Sequence, residues 1–163
     1  MKYYQNKRKQ GGFTLIEMAF VVAIIAILGA AGLYTLPQIF GDTALSNLQQ
    51  EVTDVSTAAY KAKKNRPNYK NLDMKKLCDD GYLKDKYCEG TPGVGVNSFG
   101  GDVIFTPHPT NFALRNIKVT IPNDLSRINE IADTLAPQSR NKCTSASGCT
   151  TLTIAGNAIT ITM

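Results

Sequence analysis

Three features of the sequence predict an α+β fold. A helical pattern extends from about Phe13 to Lys64, first as an uncharged run and then as an amphipathic stripe. Period-two alternation follows between Val103 and Ile121. A late helical pattern around Leu125–Leu135 then precedes a final pair of strand segments about Ala155-Gly156-Asn157. The expected architecture is a long N-terminal helical spine packed on an antiparallel β-sheet. At 163 residues the chain has room for one ordinary head domain besides that spine.

The first element is a short basic segment, MKYYQNKRKQGG, with Lys2, Lys7, Arg8 and Lys9 and no acid. From Met18 to Leu36 there follow 19 residues without charge. As a helix these would span roughly 28 Å, close to the hydrocarbon core of a bilayer. A buried core helix and a secretory signal peptide compete with a membrane span. The first rarely reaches this length at a chain end. The second needs small residues after the apolar run, whereas here Gly11-Gly12 precede it and Leu36-Pro37-Gln38 follow it. The basic flank keeps its own end cytoplasmic and sends the C-terminal part across the membrane. Gly29, Gly32 and Pro37 weaken the helix ladder, so a kink or melted stretch in a packed filament is expected around Gly29–Pro37, and the helical pattern leaves room for a break at Pro37–Asp42.

Glu17 is the one charge at the edge of the apolar run. A carboxylate near a bilayer centre costs of order 2.5–3.5 kcal/mol and calls for a positive partner. A new α-amino group would be such a partner if the chain were cut after Gly12. The segment GGFTLIEMAFVVAIIAIL resembles the type IV prepilin signature: basic leader, Gly, Phe-Thr-Leu-Ile-Glu, then an apolar run. That resemblance implies cleavage by a prepilin peptidase between Gly12 and Phe13 and N-methylation of Phe13. It gives Glu17 the role of neutralising a neighbouring subunit's N-terminus during assembly. It further implies residues 1–12 as a cleaved leader and 13–41 as the transmembrane or filament-core helix. Residues 42–163 then form the amphipathic half-helix and the globular pilin head. The chain would sit in the inner membrane as a single pass with its C-terminus outside, and then in an extracellular pilus. Many type IV pilins carry a proline at the position of Tyr34; here the first proline is Pro37. Ala19, Ala23, Ala26, Ala30 and Gly32 offer small surfaces for close helix packing.

Beyond Gly41-Asp42, Leu45, Leu48, Val52, Val55, Ala59 and Ala62 mark one apolar stripe, with Gln49, Glu51, Asp54 and Lys61 on the opposite face. Pro67 ends the helix. Asn71–Asp80 reads as a short helix stopped by Gly81. A glycine-rich turn region, GTPGVGVNSFGGD, follows, without the Lys-Ser/Thr of a phosphate loop. Its Asn97-Ser98-Phe99-Gly100-Gly101 resembles a turn that precedes the sheet in type IVb and conjugative pilins. Val103–Phe105 and Phe112–Leu114 with Ile117–Ile121 are strands, and His108 lies between two prolines as an exposed turn residue. Asn123-Asp124 can cap the helix that carries Leu125, Ile128, Ile131, Ala132 and Leu135 and ends at Pro137. Thr151–Ile154 and Ala158–Ile161 form a hairpin. The late helix suits the type IVb layout.

Export makes disulfides the expected fate of the four cysteines. The spacings Cys78-x9-Cys88 and Cys143-x5-Cys149 do not suit zinc, which favours two to four residues within a pair. Three connectivities are open; the local pairs Cys78–Cys88 and Cys143–Cys149 are the expectation. The single His excludes a polyhistidine metal site and leaves no catalytic triad or Cys/His set, so neither an enzyme nor a cofactor is expected. Lys61, Lys63, Lys64, Arg66 and Lys70 with Tyr60 and Tyr69 form a nucleic-acid candidate, or a solvated helix end whose cations suit the dipole. The second reading is favoured. The net charge of +5 falls to +1 once cleavage removes four cations and no acid, so the global charge argument for nucleic acid largely disappears.

The resemblance implies a structural subunit that polymerises through its N-terminal helix, its filament serving adhesion, aggregation, motility or conjugation. Other copies of the chain, the peptidase, an assembly platform and an assembly ATPase would be its partners. Alternatives are a minor pilin, a type II secretion pseudopilin, or a DNA-uptake pilin. A major pseudopilin would carry an acidic calcium loop near its C-terminus, and residues 134–163 hold no Asp or Glu.

Overall fold

The computed structural model describes residues 14–89 and 93–163, with side chains except over 31–40. The chain divides into two compact units, Met1–Phe40 and Gly41–Met163. Helix α1 spans Leu15–Lys63. The interruption expected at Pro37–Asp42 is not present: a proline costs about 3 kcal/mol inside a helix but removes a single backbone donor, and the ladder continues on both sides. The helix ends where Lys64 turns left-handed at φ 52° and Arg66 donates to the carbonyls of Ala62 at 2.8 Å and Lys63 at 3.3 Å.

In the second unit the apolar stripe of α1 enters the core. Leu48, Val52, Val55, Ala58, Ala59 and Ala62 are buried, and Leu45 packs against them. They share one cluster with the inner face of a five-stranded antiparallel sheet. The strands are β1 (Gly95–Val96), β2 (Asp102–Pro107), β3 (Arg115–Thr120), β4 (Leu152–Ala155) and β5 (Ala158–Thr162), in the order β1-β2-β3-β5-β4. Register explains the core. Val103 faces Val119, which faces Ile159; Phe105 faces Ile117, which faces Ile161 and then Leu152. Two cross-strand rows of branched and aromatic residues thus cover one face. The turn of the final hairpin is Gly156-Asn157, and Gly156 takes φ 61°, which glycine adopts without steric cost.

The connecting elements differ in detail from the sequence expectation. Helix α2 is Met74–Asp79, shorter than Asn71–Asp80, because the Asp73 side chain caps it by accepting from the Lys76 amide at 2.7 Å. Phe112–Leu114 is a loop rather than strand. His108 is half-buried rather than exposed, and its Nδ1 accepts from the Asn111 amide at 3.2 Å. The late helix begins as a 3₁₀ turn, Leu125–Arg127, and continues as α3, Ile128–Leu135. Asp124 makes no side-chain cap there; its carboxylate faces Arg127 instead, at 3.5 Å.

Two polar residues fasten the glycine-rich turn. Asn97, almost fully buried, donates to the carbonyls of Asp102 and Thr120, both at 2.9 Å. Its Oδ1 accepts from the amides of Phe99 at 2.9 Å and Gly101 at 3.2 Å. Glu51, expected on the solvent face of α1, is 4% exposed. It accepts from the Ser98 amide at 3.0 Å and the Ser98 hydroxyl at 2.8 Å, with Lys86 Nζ at 3.4 Å. This burial is tolerated because the carboxylate is both paired and hydrogen-bonded.

Candidate assembly segment

The candidate site is the start of α1. Thr14 precedes the first helical residue, and Glu17 stands three residues on. The two form a capping box: the Thr14 amide and hydroxyl each donate to Glu17 Oε2 at 2.8 Å, and the Glu17 amide donates to Thr14 Oγ1 at 3.4 Å. The Thr-x-x-Glu spacing was present in the sequence as a helix-start signal, and it gives Glu17 a local task in the uncleaved chain. Among the described residues no salt bridge reaches Glu17. The cleavage pair Gly12–Phe13 and the methylation site Phe13 lie outside the described residues.

The helix that follows is apolar all round. Leu15 is 90% exposed, and Ile16, Phe20, Val22, Ile24, Ile25, Ile27 and Leu28 are exposed beside it. A helix of this kind is stable in water only when another apolar surface or lipid covers it. Ala19, Ala23, Ala26 and Ala30 recur at spacings of four, three and four, so they share one face on which a second helix can approach closely. Among the described residues no helix is long and apolar enough to cross a membrane. The uncharged run Met18–Leu36 continues into residues whose side chains are not described.

The other singled-out residues lie in the second unit. Cys78 is bonded to Cys88 with Cα atoms 5.6 Å apart, joining the end of α2 to the turn after it. Cys143 is bonded to Cys149 with Cα atoms 5.8 Å apart, closing the loop before β4. Three members of the basic cluster make local contacts, while Lys61, Lys64, Arg66 and Lys70 are exposed. Lys63 Nζ lies 5.7 Å from the centre of the Tyr60 ring and 5.1 Å from that of Tyr69, Lys70 Nζ lies 5.6 Å from that of Phe112, and Arg66 caps α1. Tyr69, offered by the sequence as a stacking surface, is buried and donates no face to solvent. Among the described residues no group of three or more His, Cys, Asp and Glu could hold a metal ion.

Residues 7–33 match the model of the prokaryotic N-terminal methylation motif. The match spans the basic flank, the Gly12–Phe13 junction, Glu17 and most of the apolar run. It supports a type IV prepilin leader on a pilin-like or pseudopilin protein, and a leader of this class implies processing by a prepilin peptidase. The long N-terminal helix with its five-stranded antiparallel sheet is consistent with the α+β pilin fold. Neither the curated proteins nor the solved structures contain a match to the chain.

Proposed function

We propose that this chain is the structural subunit of a type IV pilus with a type IVb-like or conjugative layout. The observation that carries the reading is the apolar helix, exposed on every side and led by Glu17, directly behind a matched leader. Cleavage after Gly12 would free the α-amine of Phe13. N-methylation would leave it cationic. In a packed bundle of such helices, that amine and the Glu17 carboxylate of a neighbour would each supply the charge the other needs, because buried ions are tolerable only when paired. Forming this pair would exchange the Thr14–Glu17 capping box for a contact between subunits. Before assembly the same helix, residues 13–41, would hold the chain in the inner membrane with its head outside. Other copies, the peptidase, the assembly platform and its ATPase are the expected partners. The work is polymerisation, and adhesion, aggregation, motility or conjugation would be properties of the filament. The absence of Asp and Glu from residues 134–163 favours this over a major pseudopilin with an acidic calcium loop.

Intact mass and N-terminal sequencing of surface filaments test the reading. Loss of residues 1–12 with N-methylated Phe13 is expected; a mature chain starting at Met1 or after Pro37 would refute it. Glu17→Val is expected to abolish incorporation while the head stays folded. Normal piliation with that variant as sole subunit would contradict the charge pairing.

A further inference from the structure

We propose that the head unit is electrically polarised along its sheet, and that its basic end docks on the acidic end of a second copy of this chain. The inference rests on the filament reading and deepens it, by naming the surfaces through which neighbouring heads recognise one another.

Strand register defines the two ends. β3 begins at Arg115, beside the end of β2 at Pro107 and the end of β5 at Thr162. The Arg115 side chain donates from Nη1 to the Tyr69 hydroxyl at 2.6 Å and lies against that ring. Lys63 lies against the same ring, with Nζ 5.1 Å from its centre. Lys70 Nζ is 5.6 Å from the centre of Phe112, whose carbonyl accepts from the Tyr69 amide at 2.7 Å. Arg140 joins across β5, its amide donating to the Thr162 carbonyl at 2.8 Å. The segments that meet at this end, residues 60–71, 106–116, 139–143 and 162–163, hold eight Lys and Arg and no Asp or Glu. A terminal carboxylate on Met163 would still leave a large excess of positive charge. Among the described residues every salt bridge uses a cation from elsewhere, so these eight are not neutralised within the head.

At the other end of the sheet the sign is reversed. β2 begins at Asp102, whose amide donates to Oγ1 of Thr120, the last residue of β3, at 2.6 Å. Asp124 lies just beyond, and it shares Arg127 with Glu130 and with Asp42 of α1. Four acids stand there against one arginine, and the side chains of Asp42 and Glu130 are 79% and 54% exposed. The nearby Glu51 and Lys86 cancel each other. The length of β2, Asp102–Pro107, puts the two ends about 17 Å apart at ~3.4 Å per residue. That is roughly twice the ~8 Å screening length at physiological salt, so the two signs do not cancel within one head. A head of this kind is complementary to a second copy placed end to end. Such a contact is heterologous and need not close on itself, which is what a helical filament requires. Exposed charges select the neighbour and its register, while the apolar helices supply the affinity.

The test is the yield of filaments sheared from cells whose only subunit is the full-length chain or a variant of it. Asp42→Lys with Asp102→Lys turns the acidic end positive. Lys61→Glu, Lys64→Glu, Lys70→Glu, Arg140→Glu and Lys142→Glu together turn the basic end negative, all at exposed positions. Each variant alone sets like charges against each other, and yield is expected to fall at least roughly tenfold, while the cell-associated chain keeps its native amount and oxidised mobility. Combining the two sets restores opposite signs, and yield is expected to return to within about threefold of native. A combined variant no better than either set would overturn the proposal, as would native yield from the acidic-end pair. If the basic-end variant is degraded, the acidic-end pair decides alone. Native yield from both variants, with loss of heparin retention in the basic-end one, would assign that end to an outside polyanion and overturn the contact between copies. In all these cases native filaments whose chains begin at N-methylated Phe13 keep the filament reading. A native chain that forms no filament removes that reading and this contact with it.

Discussion

Replacing Asn97 with Asp changes one atom type in a buried residue and leaves its size almost unaltered. In the native head both amide protons of Asn97 are used, on the carbonyls of Asp102 and Thr120 at 2.9 Å each. An aspartate would aim an oxygen at these two carbonyls in place of the nitrogen. Two hydrogen bonds of about 1 kcal/mol each would be lost. The Asp102 and Thr120 carbonyls would lose this partner and face a carboxylate of their own sign, at a further ~1–3 kcal/mol. The bonds that Oδ1 accepts from Phe99 and Gly101 would survive, so the turn itself could still form. The sum is roughly 4 kcal/mol, with a twofold margin either way. For a unit of this size each kcal/mol moves the midpoint by about 4 °C, so a drop of about 15 °C is expected. Near-UV circular dichroism of the oxidised chain on heating measures it. A midpoint within about 2 °C of the native one would refute the assignment of Asn97 as the four-bond centre of the turn.

Two other outcomes follow from the same unit. Gly101→Ala is expected to cost at least about 1–3 kcal/mol, because the new Cβ would strike the Thr120 carbonyl oxygen, a backbone atom that cannot move aside, and lie 2.8 Å from Pro122 Cδ; urea unfolding with an unchanged midpoint would contradict this. Burial pushes the Asp54 carboxyl up, but bonds from Gln50 at 2.8 Å and Tyr87 at 3.3 Å and the Lys84 charge at 3.5 Å outweigh it and hold the group below the usual carboxylate value. A depressed folded-state value means stability that is present above the ordinary carboxylate range and is lost as pH falls through the folded value. The acid limb of a stability–pH curve below about pH 4 should therefore flatten in Asp54→Asn, and an identical limb in both proteins would remove the assignment.

Much of the candidate site was legible in the sequence because its signals are local. The basic flank, the glycine pair, Glu17 and the uncharged run lie within some three dozen consecutive residues, and each acts through its neighbours or through the surrounding medium. The same holds for the stripe Leu48–Ala62, the alternation in β2 and β3, and the Gly156-Asn157 hairpin, since helix and strand periods repeat over a few residues. The capping box of Thr14 and Glu17 was equally local. The tertiary structure decided where polar groups find partners far along the chain. Glu51 looks like a solvent-facing acid in its own helix; its partners Lys86 and Ser98 lie 35 and 47 residues away, and these contacts make its burial affordable. Strand β1, two residues long, has no period of its own and exists because β2 offers it an edge. Periodicity records which face of an element turns inward, but the identity of a buried charge's partner is a property of the fold.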